Sequence, residues 1–102
     1  MTIYHIVLPE IWETFEEKDF YEAASLQTEG FIHCSFAEQI EGVLNRYYQE
    51  VEKVLILKID PEKLTSKLVN EPSTNNEIYP HIYGPINREA VVEIKEKDLT
   101  GI

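Results

Sequence analysis

Three residues able to do acid–base chemistry stand alone in apolar surroundings: His5, His33 and His81. His5 sits in Ile3-Tyr4-His5-Ile6-Val7-Leu8, His33 in Phe31-Ile32-His33-Cys34, and His81 in the segment Tyr79-Pro80-His81-Ile82-Tyr83 bounded by prolines. Runs rich in β-branched and aromatic residues form strands. Because side chains alternate along a strand, His33 shares a face with Ser35 and His81 shares one with Tyr83. Adjacent strands would then gather His5, His33, Ser35, His81 and Tyr83 onto one polar wall. Imidazoles exchange protons near neutral pH, hydroxyls donate and accept hydrogen bonds, and a tyrosine ring gives a planar ligand a flat surface. Such a wall suits a small-molecule pocket.

Competing roles exist for the same residues. Buried strand histidines also serve as core residues hydrogen-bonded to backbone, and that role stays open for each of the three. Ser35 stands three residues before Glu38 in an S-x-x-E pattern, so it is a helix N-cap candidate that could still line the pocket. Cys34 follows His33 directly, which suggests a nucleophile beside its base. Strand alternation argues otherwise and turns the thiol toward the core with Ile32. A metal bound by the three histidines lacks any H-x-H, H-x-x-x-H or C-x-x-C spacing, so no metal ligands are assigned.

The elements that must hold these residues can be read along the chain. Pro9 suits the first turn of a helix, with Ile11, Trp12 and Phe15 at helical spacing. Asp19 and Glu22 resemble a helix-start box, and Gly30 a helix stop, which predicts a second short helix between them. After Ser35, the apolar series Ile40, Val43, Leu44, Tyr47, Tyr48 and Val51 predicts the longest helix, with all six on its inner face. Residues 54–59 are almost continuously apolar and suit a central strand. Residues 68–71 are a short strand, and 72–76 an exposed flexible loop where a lid would sit. A final strand over 90–95 is expected to turn Val92 and Ile94 to the core. Helices concentrated early and strands late favour an α+β class, with a small mixed or antiparallel sheet packed by helices.

The chain has 102 residues, with 9 Lys+Arg against 19 Asp+Glu and a net charge of −10. That length fits one domain over residues 1–102. Its seven lysines and two arginines (Arg46, Arg88) are scattered among acids, so a phosphate-tracking nucleic-acid groove is not expected. No apolar run approaches the roughly 20 residues of a membrane helix, and a membrane partner is not expected either. A single cysteine and an opening without signal-peptide character point to the cytoplasm. With four glycines, neither G-x-G-x-x-G nor a Walker loop is present.

The segments IYHI, SLQTEGFIHCS with the following Gln39, LILKID, Glu71 and PHIYGPI together resemble the bacterial family known as domain of unknown function 952. The resemblance spans nearly the whole chain, and GFIHCS with PHIYGP is its most specific part. It implies a compact α+β domain distantly similar to ADP-ribosyltransferases, in which three strand motifs surround a nicotinamide-nucleotide pocket. On that analogy His5 would hold a ribose hydroxyl, and His33 or Ser35 would lie beside the nicotinamide. His81 and Tyr83 would close the third side, and Glu71 would be drawn in from a neighbouring strand. His33, His81 and Glu71 are then the catalytic candidates, and His5, Ser35 and Tyr83 the ligand-binding ones. Transferases of that kind carry a Glu in the third motif, where this chain has His81 and Tyr83, so Glu71, Glu77 or Glu93 would have to substitute. The related tRNA 2′-phosphotransferases hold RNA with a basic His and Arg set, which a chain of charge −10 does not resemble.

Three readings follow. The domain is an enzyme acting on NAD or an ADP-ribose-type nucleotide, with NAD as substrate rather than resident cofactor; or a non-catalytic sensor of a small metabolite; or an acidic protein-interaction module. Protonated histidines would favour a dinucleotide against the negative surface, so affinity is expected to rise as pH falls.

Overall fold

The computed structural model describes residues 2–100. Among the described residues eight strands and three α-helices follow in the order β1 (Ile3–Val7), α1 (Pro9–Glu13), β2 (Phe20–Tyr21), α2 (Ala24–Glu29), β3 (Ile32–His33), α3 (Ile40–Tyr47), β4 (Lys53–Ile59), β5 (Lys67–Pro72), β6 (Ile78–Tyr83), β7 (Ile86–Asn87) and β8 (Val91–Asp98). They form three small antiparallel sheets, ordered β1-β4-β8, β2-β7 and β3-β6-β5. The class is α+β. Among the described residues no helix is long and apolar enough to cross a membrane.

The apolar run of β4 lies between β1 and β8 because both of its faces are covered. Leu57 and Ile59 pack with Ile3, Val7, Trp12, Tyr21, Ile32 and Ile82 in one core. Val54 and Ile56 face the other way and pack with Ile6 and Leu44, the latter from α3. A bridge between Tyr4 and Ser35 ties the end of β3 to β1, with Tyr4 N–H donating to the Ser35 carbonyl at 2.8 Å and Ser35 N–H returning the bond at 2.7 Å. That tie joins the sheet of β1 to the sheet of β3 and sets His5 beside His33.

Several expected elements hold. Pro9 occupies the first turn of α1, and Gly30 ends α2 in the left-handed conformation, φ 90°. Others differ, each for a tertiary reason. The Asp19-x-x-Glu22 box does not start a helix: Phe20 and Tyr21 pair with Asn87 and Ile86 instead, which buries Tyr21 against Trp12 and Phe15. Ser35 caps nothing. Its backbone is committed to Tyr4, and the helix start moves one residue on, where Gln39 Oε1 accepts the Phe36 N–H at 2.9 Å. A 3-10 turn, Ala37–Gln39, precedes α3. The long helix also stops at Tyr47, so Tyr48 and Val51 reach the second core from the turn into β4 rather than from a helical face.

Val92 and Ile94 do not face the core: they are 46% and 45% exposed. The register passes from Ile59↔Val91 to Lys58↔Glu93, which makes Val92 the extra residue of a bulge. β8 is also an outer strand, and only its start, Val91 after the buried Ala90, reaches the first core. Residues 72–76 form the tip between β5 and β6, where Asn75 and Asn76 take positive φ (58° and 62°). Asn tolerates that conformation better than other side chains.

Candidate functional site

Pairing of β3 with β6 sets His33 opposite His81, and pairing of β5 with β6 sets Glu71 opposite Tyr79. Paired positions share a face. His33, Tyr79, His81, Tyr83 and Glu71 therefore project from one side of this sheet. His81 Nδ1–H donates to Glu71 Oε1 at 2.8 Å, and the Tyr83 hydroxyl donates to the same oxygen. Two donors on one oxygen favour the ionised carboxylate. The Tyr83 hydrogen bond and then the His81 one hold the Glu71 carboxyl below its usual range, while Glu71 raises the Tyr83 phenol.

Nδ1 carries the hydrogen of this bond, and Nε2 is the other polar atom of the His81 ring. It is buried and has no partner among the described residues. The Phe31 ring stacks on the imidazole at 4.1 Å, and the His33 ring meets it edge-on at 5.4 Å. Phe31 also contacts His33 and Tyr83. One phenyl ring thus covers the whole cluster.

His5 is organised differently. Its Nδ1–H donates to the His33 carbonyl at 2.7 Å, and its Nε2 accepts from the Tyr21 hydroxyl at 2.8 Å. Both ring nitrogens are thus satisfied in the neutral form. Burial pushes the His5 pKa down to about 4, against a small opposing pull from the His33 carbonyl. His5 therefore supplies no positive charge to a ligand near neutral pH, contrary to the expectation that all three histidines would.

A cavity of about 550 Å³ opens beside His33. His5 and Ile6 of β1 form part of its wall with Cys34 and Ser35; Val43, Tyr47 and Tyr48 come from α3 and its end. Ser73, Thr74 and Tyr79 close it from the β5–β6 tip, and Glu29 stands next to His33, its Oε1 3.1 Å from His33 Nε2. Of the expected wall, His5, His33 and Ser35 line this space. His81 and Tyr83 do not; with Glu71 they form the adjoining cluster, joined to the cavity through the His33 ring. Glu77 accepts hydrogen bonds from Gln39 and Tyr79, and Glu93 pairs with Lys58, so Glu71 is the one of the three candidate acids that meets His81. Cys34 lies in the first core, and burial pushes its thiol pKa far up.

Residues 6–94 match the family model described as a protein of unknown function, DUF952. The chain belongs to the DUF952 family. Its fold is similar to the crystal structure of CC0527 from Caulobacter crescentus, at 26% identity and a TM-score of 0.82, covering 96% of this chain and 85% of that one. The solution NMR structure of CC0527 matches at 24% identity and a TM-score of 0.71, covering 95% and 83%. No curated protein matches. Neither the DUF952 description nor the CC0527 structures name an activity, so the chemistry is argued from the cavity itself.

Ser73 and Thr74 of this DUF952 domain lie in the loop where a lid is expected, whereas Glu29, Tyr47, Tyr48 and Tyr79 are wall residues that the sequence does not mark. Helical spacing assigned Tyr47 and Tyr48 to the core, and Tyr48 does pack there. Tyr47 is 61% exposed, with its hydroxyl 3.3 Å from Thr74 Oγ1. The available signal was the pair itself, since two adjacent residues of a helix cannot face the core equally.

Proposed function

We propose that the cavity beside His33 binds a small ligand carrying a planar ring and hydroxyl groups, of the NAD or ADP-ribose nucleotide type. The observation that carries this reading is the wall chemistry: tyrosine rings at 47, 48 and 79 beside the Ser35, Ser73 and Thr74 hydroxyls and the Glu29–His33 pair, around about 550 Å³. Rings give a base or nicotinamide something to stack on, and hydroxyls and a carboxylate give a ribose its partners. Ser35 is the ligand-binding hydroxyl nearest His33 in sequence. His5 shapes the wall and fixes the His33 backbone, and does not exchange protons.

In the enzymatic form of this reading, similar to ADP-ribosyltransferases, His33 is the catalytic residue facing the ligand. Glu29 polarises it or a ribose hydroxyl, because Glu29 lines the cavity and Glu71 does not. Glu71, His81 and Tyr83 then act through His33 as positioning residues. A second reading, a sensor without turnover, has its own support: His81 Nε2 is buried, Phe31 covers the face of the His81 ring, and the bonded Glu71 oxygen already holds two donors.

Titration calorimetry with NAD, ADP-ribose and adenosine tests binding, and chromatography of NAD incubated with the protein tests turnover. We expect binding at millimolar concentration or better, weakened about tenfold by His33→Ala, the scale of one or two lost hydrogen bonds. Release of nicotinamide selects the enzyme, and binding without release selects the sensor. Absence of binding by all three compounds at millimolar concentration overturns the nucleotide reading.

A further inference from the structure

We infer that the cavity has a fixed polarity, with Arg46 at its rim receiving the phosphate of a phosphorylated nucleoside while the Glu29–His33 side receives hydroxyls. This rests on the nucleotide reading above and adds which end of the ligand lies where.

Most of the cations near the folded core are already engaged. Arg88 is engaged in the fold, its guanidinium 5.3 Å from the Trp12 ring and donating to the Phe15 carbonyl at 3.0 Å. Lys53 pairs with Glu96 and Lys58 with Glu93, and Lys18 lies over the Phe15 ring. Arg46 is attached to the cavity wall. Its Nη2 donates to the Tyr79 hydroxyl at 2.9 Å, and its guanidinium lies 5.9 Å from the Tyr47 ring. Both tyrosines line the cavity. Tyr79 donates onward to Glu77 Oε1 at 3.3 Å, while Glu77 Oε2 accepts from Gln39 at 3.0 Å.

That chain holds the guanidinium in place through one of its five N–H donors. Arg46 joins no ion pair among the described residues. A planar fork with free donors is the side chain best matched to a phosphate. Hydroxyls accompany it on this side, since Tyr47 Oη and Thr74 Oγ1 lie 3.3 Å apart and Ser73 stands next to Thr74 on the wall. Glu77 also stands on the Arg46 side, but its two oxygens are engaged by Tyr79 and Gln39 and it is not part of the cavity wall, whereas Glu29 is. The Glu29 carboxylate beside His33 repels a phosphate and accepts from hydroxyls. A ligand with an anionic end and a hydroxylated end therefore enters in one orientation.

Adenosine, AMP and inorganic phosphate, titrated into the full chain and into Arg46→Gln at low and physiological salt, provide the test. AMP is expected to bind about tenfold more tightly than adenosine, as one charge-assisted contact provides, and salt is expected to narrow that gap. Arg46→Gln should close it. Arg46 is exposed, and an unchanged melting temperature for the variant confirms that the fold is intact. Equal binding of AMP and adenosine by the unaltered protein, or a gap that survives Arg46→Gln, overturns the polarity and leaves the nucleotide reading standing. Absence of binding by both nucleoside and nucleotide removes the two together.

Discussion

His5 makes the domain sensitive to mild acid in a way that can be worked out from its surroundings. Its folded pKa of about 4 lies below the 6.5 of an unfolded histidine, because burial disfavours the imidazolium by more than the hydrogen bond to the His33 carbonyl favours it. Between those two values the unfolded chain binds the extra proton and the folded one does not, so stability falls as pH falls. The contribution is complete above 6.5, declines on the way down, and is gone near 4. The gap, 6.5 less about 4, corresponds to about 3 kcal/mol at about 1.4 kcal/mol per pH unit, with about 2 kcal/mol lost by pH 5. Carboxylates with lowered pKa values, Glu71 among them, add their own losses as pH falls through 4.5 and below. Urea unfolding between pH 7.5 and 5 therefore isolates the histidine effect. His5→Gln is the control, since its amide can donate to the His33 carbonyl, accept from Tyr21 and never titrate. The unaltered protein is expected to lose about 2 kcal/mol relative to His5→Gln over that interval. Identical pH slopes for the two proteins, or a His5 ring that titrates in the folded state near 6.5, would refute the reasoning.

Cys34, buried and with its thiol pKa pushed up by that burial, should resist alkylation in the folded protein at pH 7.5 and react fully in denaturant; stoichiometric labelling without denaturant contradicts the placement. Cys34→Ser should cost about 1–3 kcal/mol, measured by urea unfolding, through burial of a hydroxyl. Gly30→Ala should cost about 1 kcal/mol in the same assay, because the left-handed backbone disfavours a Cβ although nothing lies within 4 Å of it. A loss several times larger would mean that the α2–β3 junction carries packing in addition to backbone strain.

The elements readable from sequence are those whose signal is local. IYHIVL and VLILKI have the composition of strands, Pro9 the fixed φ of a helix start, and Gly30 the freedom of a helix end, so β1, β4, α1 and the end of α2 follow directly. The failures come where a distant partner outbids a local pattern. Asp19 with Glu22 has helix-start chemistry, but pairing with Asn87 and Ile86 buries Tyr21. Ser35 with Glu38 has capping chemistry, but the Ser35 backbone is held by Tyr4 and the capping passes to Gln39. Val92 looks like a core residue until the bulge displaces it.

The same distinction separates the three histidines, which are alike in sequence as lone polar residues of apolar strands. Their different fates depend on partners the sequence does not place next to them. Tyr21 and the His33 carbonyl, 16 and 28 residues away, take both nitrogens of His5 and leave it inert. Glu71, ten residues from His81, takes one nitrogen, and Phe31 covers the ring. His33 has a neighbour from the preceding helix, Glu29, and stays exposed at the cavity. A polar residue inside a strand therefore announces that some partner must exist, since an unpaired buried group is costly. Whether the residue is structural or functional depends on how many of its hydrogen-bonding positions the fold itself consumes. On that measure His33, engaged only by an exposed carboxylate, is the histidine that keeps hydrogen-bonding capacity at the cavity, while His81 keeps a buried Nε2 without a partner among the described residues.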